Sequence, residues 1–390
     1  MWENYYDQDG SDEGIFGQRF DDSNSKVGNE FQANTYTPSH QRRPDVAAGN
    51  GAFVVVWMDT GYRDNAFAQL YDNDGVRVGS EFKVASFDPG MAYYPKVAMH
   101  PDGHFVVVWA SLTQDGSDDG VFARRFSVQG EANAPEFQVN TYTLANQQHA
   151  DVACHEDGTF FVVWESFGQD GSDDGIFGQY FSAVGGPVGP EFQINAYTPH
   201  NQFRPHVTWL DSDRYLVVWS SDGQDGDDVG VYGRLVASSS GPVGEEFQVN
   251  TYTTGPQGTN GTTAVARTER GRVVVVWESG AGFEIGQDGN GPGVFAKKYC
   301  VENVAATCGD ATCRNSIDPD PAGPDAVTAT DALLALDGAV ALDDCALCRC
   351  DVNDSNDVTA TDALLMLHKS VGQPVSLVCP PCSATTAAFR

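Results

Sequence analysis

In 390 residues the chain carries 54 Asp and Glu against 22 Lys and Arg, a formal net charge of -32. So acidic a surface repels nucleic-acid phosphates and anionic membranes, which argues against both as partners. Apolar residues make up 41% of the chain, enough for a core, yet no run of them approaches the roughly 18 that a membrane-spanning helix requires.

Residues 1–300 repeat one text. Trp2, Trp57, Trp109, Trp164, Trp219 and Trp277 mark it at intervals of 52 to 58 residues. A period of this length decides the fold before any local reading does. Each unit predicts four strands. A short, small-residue strand (Val46, Ala47, Ala48) comes first. A continuous apolar run ending in the tryptophan follows, as over 53–57; it is too short for a helix and rich in β-branched residues. A run apolar on both faces has to be covered on both. An alternating third strand (121–126) and a fourth of the type 191–195 complete the unit, with Gly, Asp and Asn turns between. No unit is long enough to bury its own core, so neighbours stack. Four strands in about fifty residues predict an all-β repeat array, the blades of a β-propeller. Tandem sandwiches would need about 100 residues per domain, and a β-solenoid is the other open reading. Trp2 falls at the end of a second strand, so the first unit is incomplete. That leaves five blades and a remainder, with the blade number open. The units resemble repeats of large secreted bacterial proteins, which implies an extracellular or cell-surface location.

Two loop sets in this array are candidate sites. Between the second and third strands, Asp7, Asp9, Asp12 and Glu13 read D-x-D-G-x-x-E, close to a calcium loop. The copies around Asp115, Asp170 and Asp225 lose the first ligand, and a hydrogen-bonded turn accounts for them equally. The loop leading to the next blade emerges on the same face. It carries Tyr36, Tyr142, Tyr197 and Tyr252, and with them Gln41, Gln147, Gln202 and Gln257. Either this face binds a glycan or a protein, or each Tyr packs between blades and each Gln satisfies backbone.

Residues 301–390 form a separate, cysteine-rich module. The text of 327–336 recurs in 358–367. Before the second copy, Asp351, Asn353, Ser355, Thr359 and Asp362 fall at positions 1, 3, 5, 9 and 12 of a 12-residue loop, and Asp357 offers its carbonyl at position 7. Oxygen ligands at this spacing wrap a hard cation, calcium above all. Asn356 suits the left-handed backbone at position 6. A helix is predicted over 362–371, with Gly372 to end it. This duplicated loop and helix, with Asp at position 12, resembles a type I dockerin over 308–382. The resemblance implies calcium in both loops and docking onto a cohesin-like partner. The first loop departs from the pattern: Ala322 and Pro324 replace ligands beside Asp320. Asp310, Asp318, Asp320, Asp325 and Asp331 are its candidate ligands. Eight of nine cysteines lie at 300, 308, 313, 345, 348, 350, 379 and 382. An even cluster in a small module predicts disulfides and an oxidising compartment. The clips Cys345/Cys348 and Cys379/Cys382 leave zinc as the competing reading. The ninth, Cys154, takes the place of Ala48 and Met99 and is expected to be a buried small hydrophobe.

No nucleophile elbow, Ser-His-Asp set or histidine cluster is legible. Paired carboxylates hydrolyse glycosides, but so acidic a chain offers too many pairs, and repetition argues against a unique one. The expectation is therefore a secreted, non-catalytic binding or scaffolding protein with a calcium-stabilised docking tail. The alternative is a carbohydrate-active enzyme joined to a complex through that tail. An enzyme should have one cleft with uniquely placed carboxylates, and a binding array near-equivalent pockets.

Overall fold

A computed structural model describes residues 1–300 except 5–9, 22, 24, 62–63, 88–90, 260–262, 268–271, 281–285 and 288–291. The dockerin-like module with its calcium loops, the seven cysteines beyond 300 and the side chain of Cys300 lie outside the described residues, as do Asp7 and Asp9. The chain divides into two compact units, Met1–Val265 with Val275–Ala296 and Ala266–Val274 with Lys297–Arg390.

The described residues form a six-bladed all-β propeller, and no α-helix occurs among them. The open blade number is thereby six. Blade 1 has three strands, β1 (Trp2–Asn4), β2 (Gly14–Phe20) and β3 (Lys26–Gln32). Blades 2 to 5 have four each: β4 (His40–Gly49), β5 (Ala52–Thr60), β6 (Asn65–Asp72) and β7 (Arg77–Lys83); β8 (Ala92–Met99), β9 (Phe105–Leu112), β10 (Asp119–Phe126) and β11 (Phe137–Gln138); β12 (Gln147–Cys154), β13 (Phe160–Phe167), β14 (Asp174–Phe181) and β15 (Pro187–Gln193); β16 (Gln202–Trp209), β17 (Arg214–Asp222), β18 (Val229–Ala237) and β19 (Gly241–Gln248). A sheet of β20 (Ala264–Arg267), β21 (Arg272–Ser279) and β22 (Gly293–Cys300) comes last. Strands pair in chain order within each sheet.

The core lies between blades. Val54 and Val56 of β5 meet Val107, Trp109 and Phe122 of the next blade. Val106, Val108 and Val121 in turn meet Val162, Trp164 and Phe177. Trp57, Trp109, Trp164 and Trp219 are 0% exposed, as the apolar runs require. The third strand departs from the expected alternation: β6 and β14 are buried at nearly every position. Both its faces meet a neighbouring sheet, so it needs apolar or small residues on both.

A polar device recurs beside these cores. Asn34, Asn140, Asn195 and Asn250 each accept a backbone N–H near the start of the third strand, from Ile15, Val121, Ile176 and Val231, at 2.8 Å. In blade 3, Asn140 Nδ2 donates to the Tyr142 carbonyl at 2.8 Å and to Gln147 Oε1 at 3.1 Å. Gln147 Nε2 donates to the Leu144 carbonyl at 2.9 Å. These groups are buried, so deleting one leaves orphaned partners. Asn140→Ala is expected to cost about 2–3 kcal/mol, measured by denaturant unfolding.

Candidate active site

The innermost strands of blades 2 to 5 are longer than predicted. β4 runs over ten residues instead of three. Each is broken at the same point by a β-bulge, where register shifts between Arg42 and Asp45, Tyr93 and Lys96, Gln148 and Asp151, and Phe203 and His206. Three of the four bulges contain a proline (Pro44, Pro95, Pro205), which has no N–H to give a ladder. The residue before it takes a left-handed backbone, with φ of 55° at Arg43, 53° at Tyr94, 48° at His149 and 52° at Arg204. For bulky residues that conformation costs roughly 1–2 kcal/mol each. A bulge re-aims a side chain, and all four side chains here line one central cavity of about 200 Å3. Lys96 and His206 line it too.

The four residues are of three kinds, two of them arginine, and are braced by one another and by neighbouring carboxylates. The Arg43 guanidinium lies 5.3 Å from the centre of the Tyr94 ring, a cation–π contact. Tyr94 and His149 rings stand 4.2 Å apart. Glu165, 3% exposed, ties two blades together. Its Oε1 lies 2.6 Å from His149 Nδ1, and its Oε2 accepts the Arg204 backbone N–H at 2.8 Å. Glu3 holds the Arg43 backbone N–H in the same way, at 2.9 Å. A carboxylate only accepts, so Nδ1 of His149 carries a proton. The other nitrogen, Nε2, is buried without a hydrogen-bond partner. Two residues beyond the bulges stands a second layer. Lys96 Nζ lies 3.9 Å from Asp45, and His206 Nδ1 lies 3.3 Å from Asp151.

Two carboxyl groups lie outside the cavity lining but within electrostatic reach of it, Asp119 of His149 and Asp174 of Glu165. Asp119 and Asp174 open the third strands of adjacent blades at equivalent positions. Burial, reinforced by Glu165, Asp173 and Asp170, pushes the Asp174 carboxyl up to about 7. Burial also raises Asp119, where the Tyr93 hydroxyl and His149 act in the opposite sense. Glu13 occupies this position in blade 1 and behaves otherwise. Burial works against its charge, but bonds from Arg42, at 2.6 Å, and from His40 hold its carboxyl below the usual range. One repeat position thus carries three electrostatic environments.

The residues singled out in the sequence lie elsewhere. Tyr36, Tyr142, Tyr197 and Tyr252 are half-buried. The backbone N–H groups of Tyr36, Tyr142 and Tyr197 donate to Glu81, Glu191 and Glu246. Gln41, Gln147, Gln202 and Gln257 are 0% exposed and bond backbone carbonyls. In the acidic loops, Asp115, Asp170 and Asp225 accept N–H groups of their own turns. Their carboxylates also press on Gly120, Gly175 and Gly230, where an added Cβ would meet them at 2.7, 2.7 and 2.9 Å. Among the described residues no group of three or more His, Cys, Asp or Glu is placed to hold a metal ion. Cys154 is a half-buried free thiol packed against the cluster between blades 3 and 4. Burial pushes it up to about 12.

No protein-family model matches the chain, and no curated protein matches it in sequence. Solved structures are similar in fold. The xylan β-1,4-xylosidase of Bacillus halodurans is 14% identical, with a TM-score of 0.41, over 70% of this chain and 55% of that one. A thermostable family-43 glycoside hydrolase is 12% identical, with a TM-score of 0.42, over 67% and 90%. The endo-arabinase of Bacteroides thetaiotaomicron is 13% identical, with a TM-score of 0.41, over 67% and 95%. The chain spans about half the length of the xylosidase it matches. Identities this low speak to fold alone. The expectation of a non-catalytic binding or scaffolding protein is nevertheless corrected here. The centre of the propeller gathers groups of different kinds into one cavity, where a binding array would show near-equivalent pockets.

Proposed function

We propose that the protein is a carbohydrate-active enzyme of the glycoside-hydrolase kind, with the central cavity as its active site. The observation that carries this is the convergence of four side chains of three kinds, at four equivalent strained positions, within electrostatic reach of two carboxyl groups in different environments. Glycoside hydrolysis by paired carboxyls needs one protonated, to give the leaving oxygen its proton, and one ionised, to activate water or attack the sugar. Environments that push two such groups apart assign the roles. Asp174, titrating near 7, is the acid. Burial raises Asp119 as well, but the Tyr93 hydroxyl and His149 oppose that shift, and we assign it as the ionised partner. Glu165 positions His149 and, through backbone, Arg204. The test is release of reducing ends from a panel of neutral and acidic oligosaccharides. Asp119→Asn is expected to lower turnover by about 10²–10⁴. No turnover on the whole panel, or turnover indifferent to Asp119, would overturn the assignment.

The tail fits a secreted enzyme that joins a larger complex. Asp351, Asn353, Ser355, Asp357, Thr359 and Asp362 supply an all-oxygen donor set at loop spacing, the chemistry calcium takes. On this proposal the module docks onto a cohesin-like protein at the cell surface, and its cysteines are oxidised. Calorimetry on the full chain should show calcium binding on the order of micromolar to millimolar, lost in Asp362→Ala. A calcium heat unchanged by that substitution would remove the second loop from the proposal.

A further inference from the structure

The cavity concentrates positive charge in a protein that has little. Arg43, Lys96 and Arg204, three of the 22 Lys and Arg, line it together with His149 and His206, and no carboxylate is among its lining residues. The inner layer is already paired: Lys96 faces Asp45 and His206 faces Asp151. The outer layer is not. Glu3 and Glu165 spend a carboxylate oxygen on the backbone N–H groups of Arg43 and Arg204. Neither guanidinium has a hydrogen-bond or ion-pair partner among the described residues. Two guanidinium groups sharing a small cavity repel each other, and burial raises the cost; Arg204 accordingly titrates low, through burial first and Arg43 second. An anion between them would remove that cost.

We infer that the central cavity takes the carboxylate of an acidic sugar, a hexuronate unit, between Arg43 and Arg204. The guanidinium fork matches a carboxylate in bidentate fashion, which a point charge does not. Arg43 is held ready by Tyr94, and Tyr94 by His149, so little side-chain freedom is lost on binding. His149 Nε2, buried and without a partner, offers a ring hydroxyl its hydrogen bond. The cavity of about 200 Å3 is the space of roughly seven waters at ~30 Å3 each, which admits one sugar ring. The inference rests on the hydrolase reading for the sugar, but not for the anion.

The experiment is calorimetry on the full chain with glucuronate, galacturonate, glucose, inorganic phosphate and sulfate. Hexuronate should bind at least about tenfold more tightly than glucose or either inorganic anion, as one or two charge-assisted hydrogen bonds predict. Arg43→Gln and Arg204→Gln should each weaken hexuronate by about tenfold and leave the inorganic anions weak; Arg204→Lys, which keeps the charge and loses the fork, should recover only part. The comparison of glucuronate with glucose needs no variant, so a substitution that unfolds the protein does not blunt the test. Equal binding of phosphate or sulfate would make this an unselective anion site and overturn the inference, as would glucuronate no tighter than glucose. Hydrolysis of neutral oligosaccharides without hexuronate binding would overturn the inference and leave the hydrolase standing. Hexuronate binding without hydrolysis of any glycoside would do the reverse.

Discussion

Asp174→Asn is expected to lower turnover by about 10²–10⁴ and to raise the melting temperature at pH 8. The two effects have one cause. Burial, with Glu165, Asp173 and Asp170 nearby, moves this carboxyl from an ordinary 3.8 to about 7. The folded protein therefore holds a proton that the unfolded chain releases near 3.8. Stability falls as pH rises between those values, because the unfolded state is the one that binds fewer protons. Above about 7 the folded protein carries a confined carboxylate among other carboxylates. At face value that costs ~4 kcal/mol; partial exposure screens it, and ~1–2 kcal/mol is the expected gain from Asn. The gain should be largely gone near pH 4, where the acid is protonated in the folded protein and about two-fifths so in the unfolded chain. Wild-type turnover should decline as pH rises through 7, since the donated proton is then gone. Thermal melts at pH 4 and pH 8, beside a pH–rate profile, check all of this. A variant less stable than wild type at both pH values would show that Asp174 is a structural hydrogen-bonding group and not a stressed acid.

Trp164→Ala should cost about 3–5 kcal/mol, the range for truncating a buried aromatic. Trp164 is 0% exposed and packs among Val106, Val108 and Val121 of blade 3 and Val152 and Val162 of its own blade. A blade that loses this contact loosens its grip on the preceding one, and in a stacked array the damage spreads to both sides. Trp277, 5% exposed and in the last sheet, should matter less. The indole nitrogens of Trp57, Trp109, Trp164, Trp219 and Trp277 are all buried without hydrogen-bond partners. Trp164→Phe removes an unmet donor along with some volume and should cost only about 1–2 kcal/mol. Denaturant unfolding of the three variants orders them. A Trp164→Ala protein as stable as wild type would mean that the inter-blade contact contributes nothing net.

The blades were legible because their signal is redundant. A repeated apolar run ending in Trp cannot be anything but a strand covered on both faces, and five copies leave little room for error. The centre was illegible for a related reason. Only Val46, Ala47 and Ala48 have the composition of a strand; His40 to Pro44 read as turn because a bulge and a proline interrupt the pattern. Of the two readings open for Gln41 and its counterparts, a binding face or a role in satisfying backbone, the structure bears out the second: they are buried and bond backbone carbonyls beside that same strand. Repetition was also weighed the wrong way. Equivalent positions in a propeller meet near one centre, so a single repeat position filled by Arg43, Tyr94, His149 and Arg204 makes a unique site. The clue lay in the dipeptides Arg43-Pro44, Tyr94-Pro95 and Arg204-Pro205, where a changing residue precedes a nearly constant proline.

The left-handed bulge separates what holds the fold from what meets the ligand. Its backbone is fixed from outside, by proline and by the Glu3 and Glu165 carboxylates acting on peptide N–H groups. Of the four left-handed residues, only His149 reaches back into that scaffold with its side chain, through Glu165. Evolution can therefore exchange that residue in one blade at a time, with the neighbouring strands left in register. Specificity in this architecture is modular in the way of an antibody loop, but written on strands, with four single-residue slots as its alphabet. A library randomised at 43, 94, 149 and 204 should fold in most of its members and differ chiefly in what it recognises. Glycine or asparagine in any slot should give the more stable and less discriminating proteins.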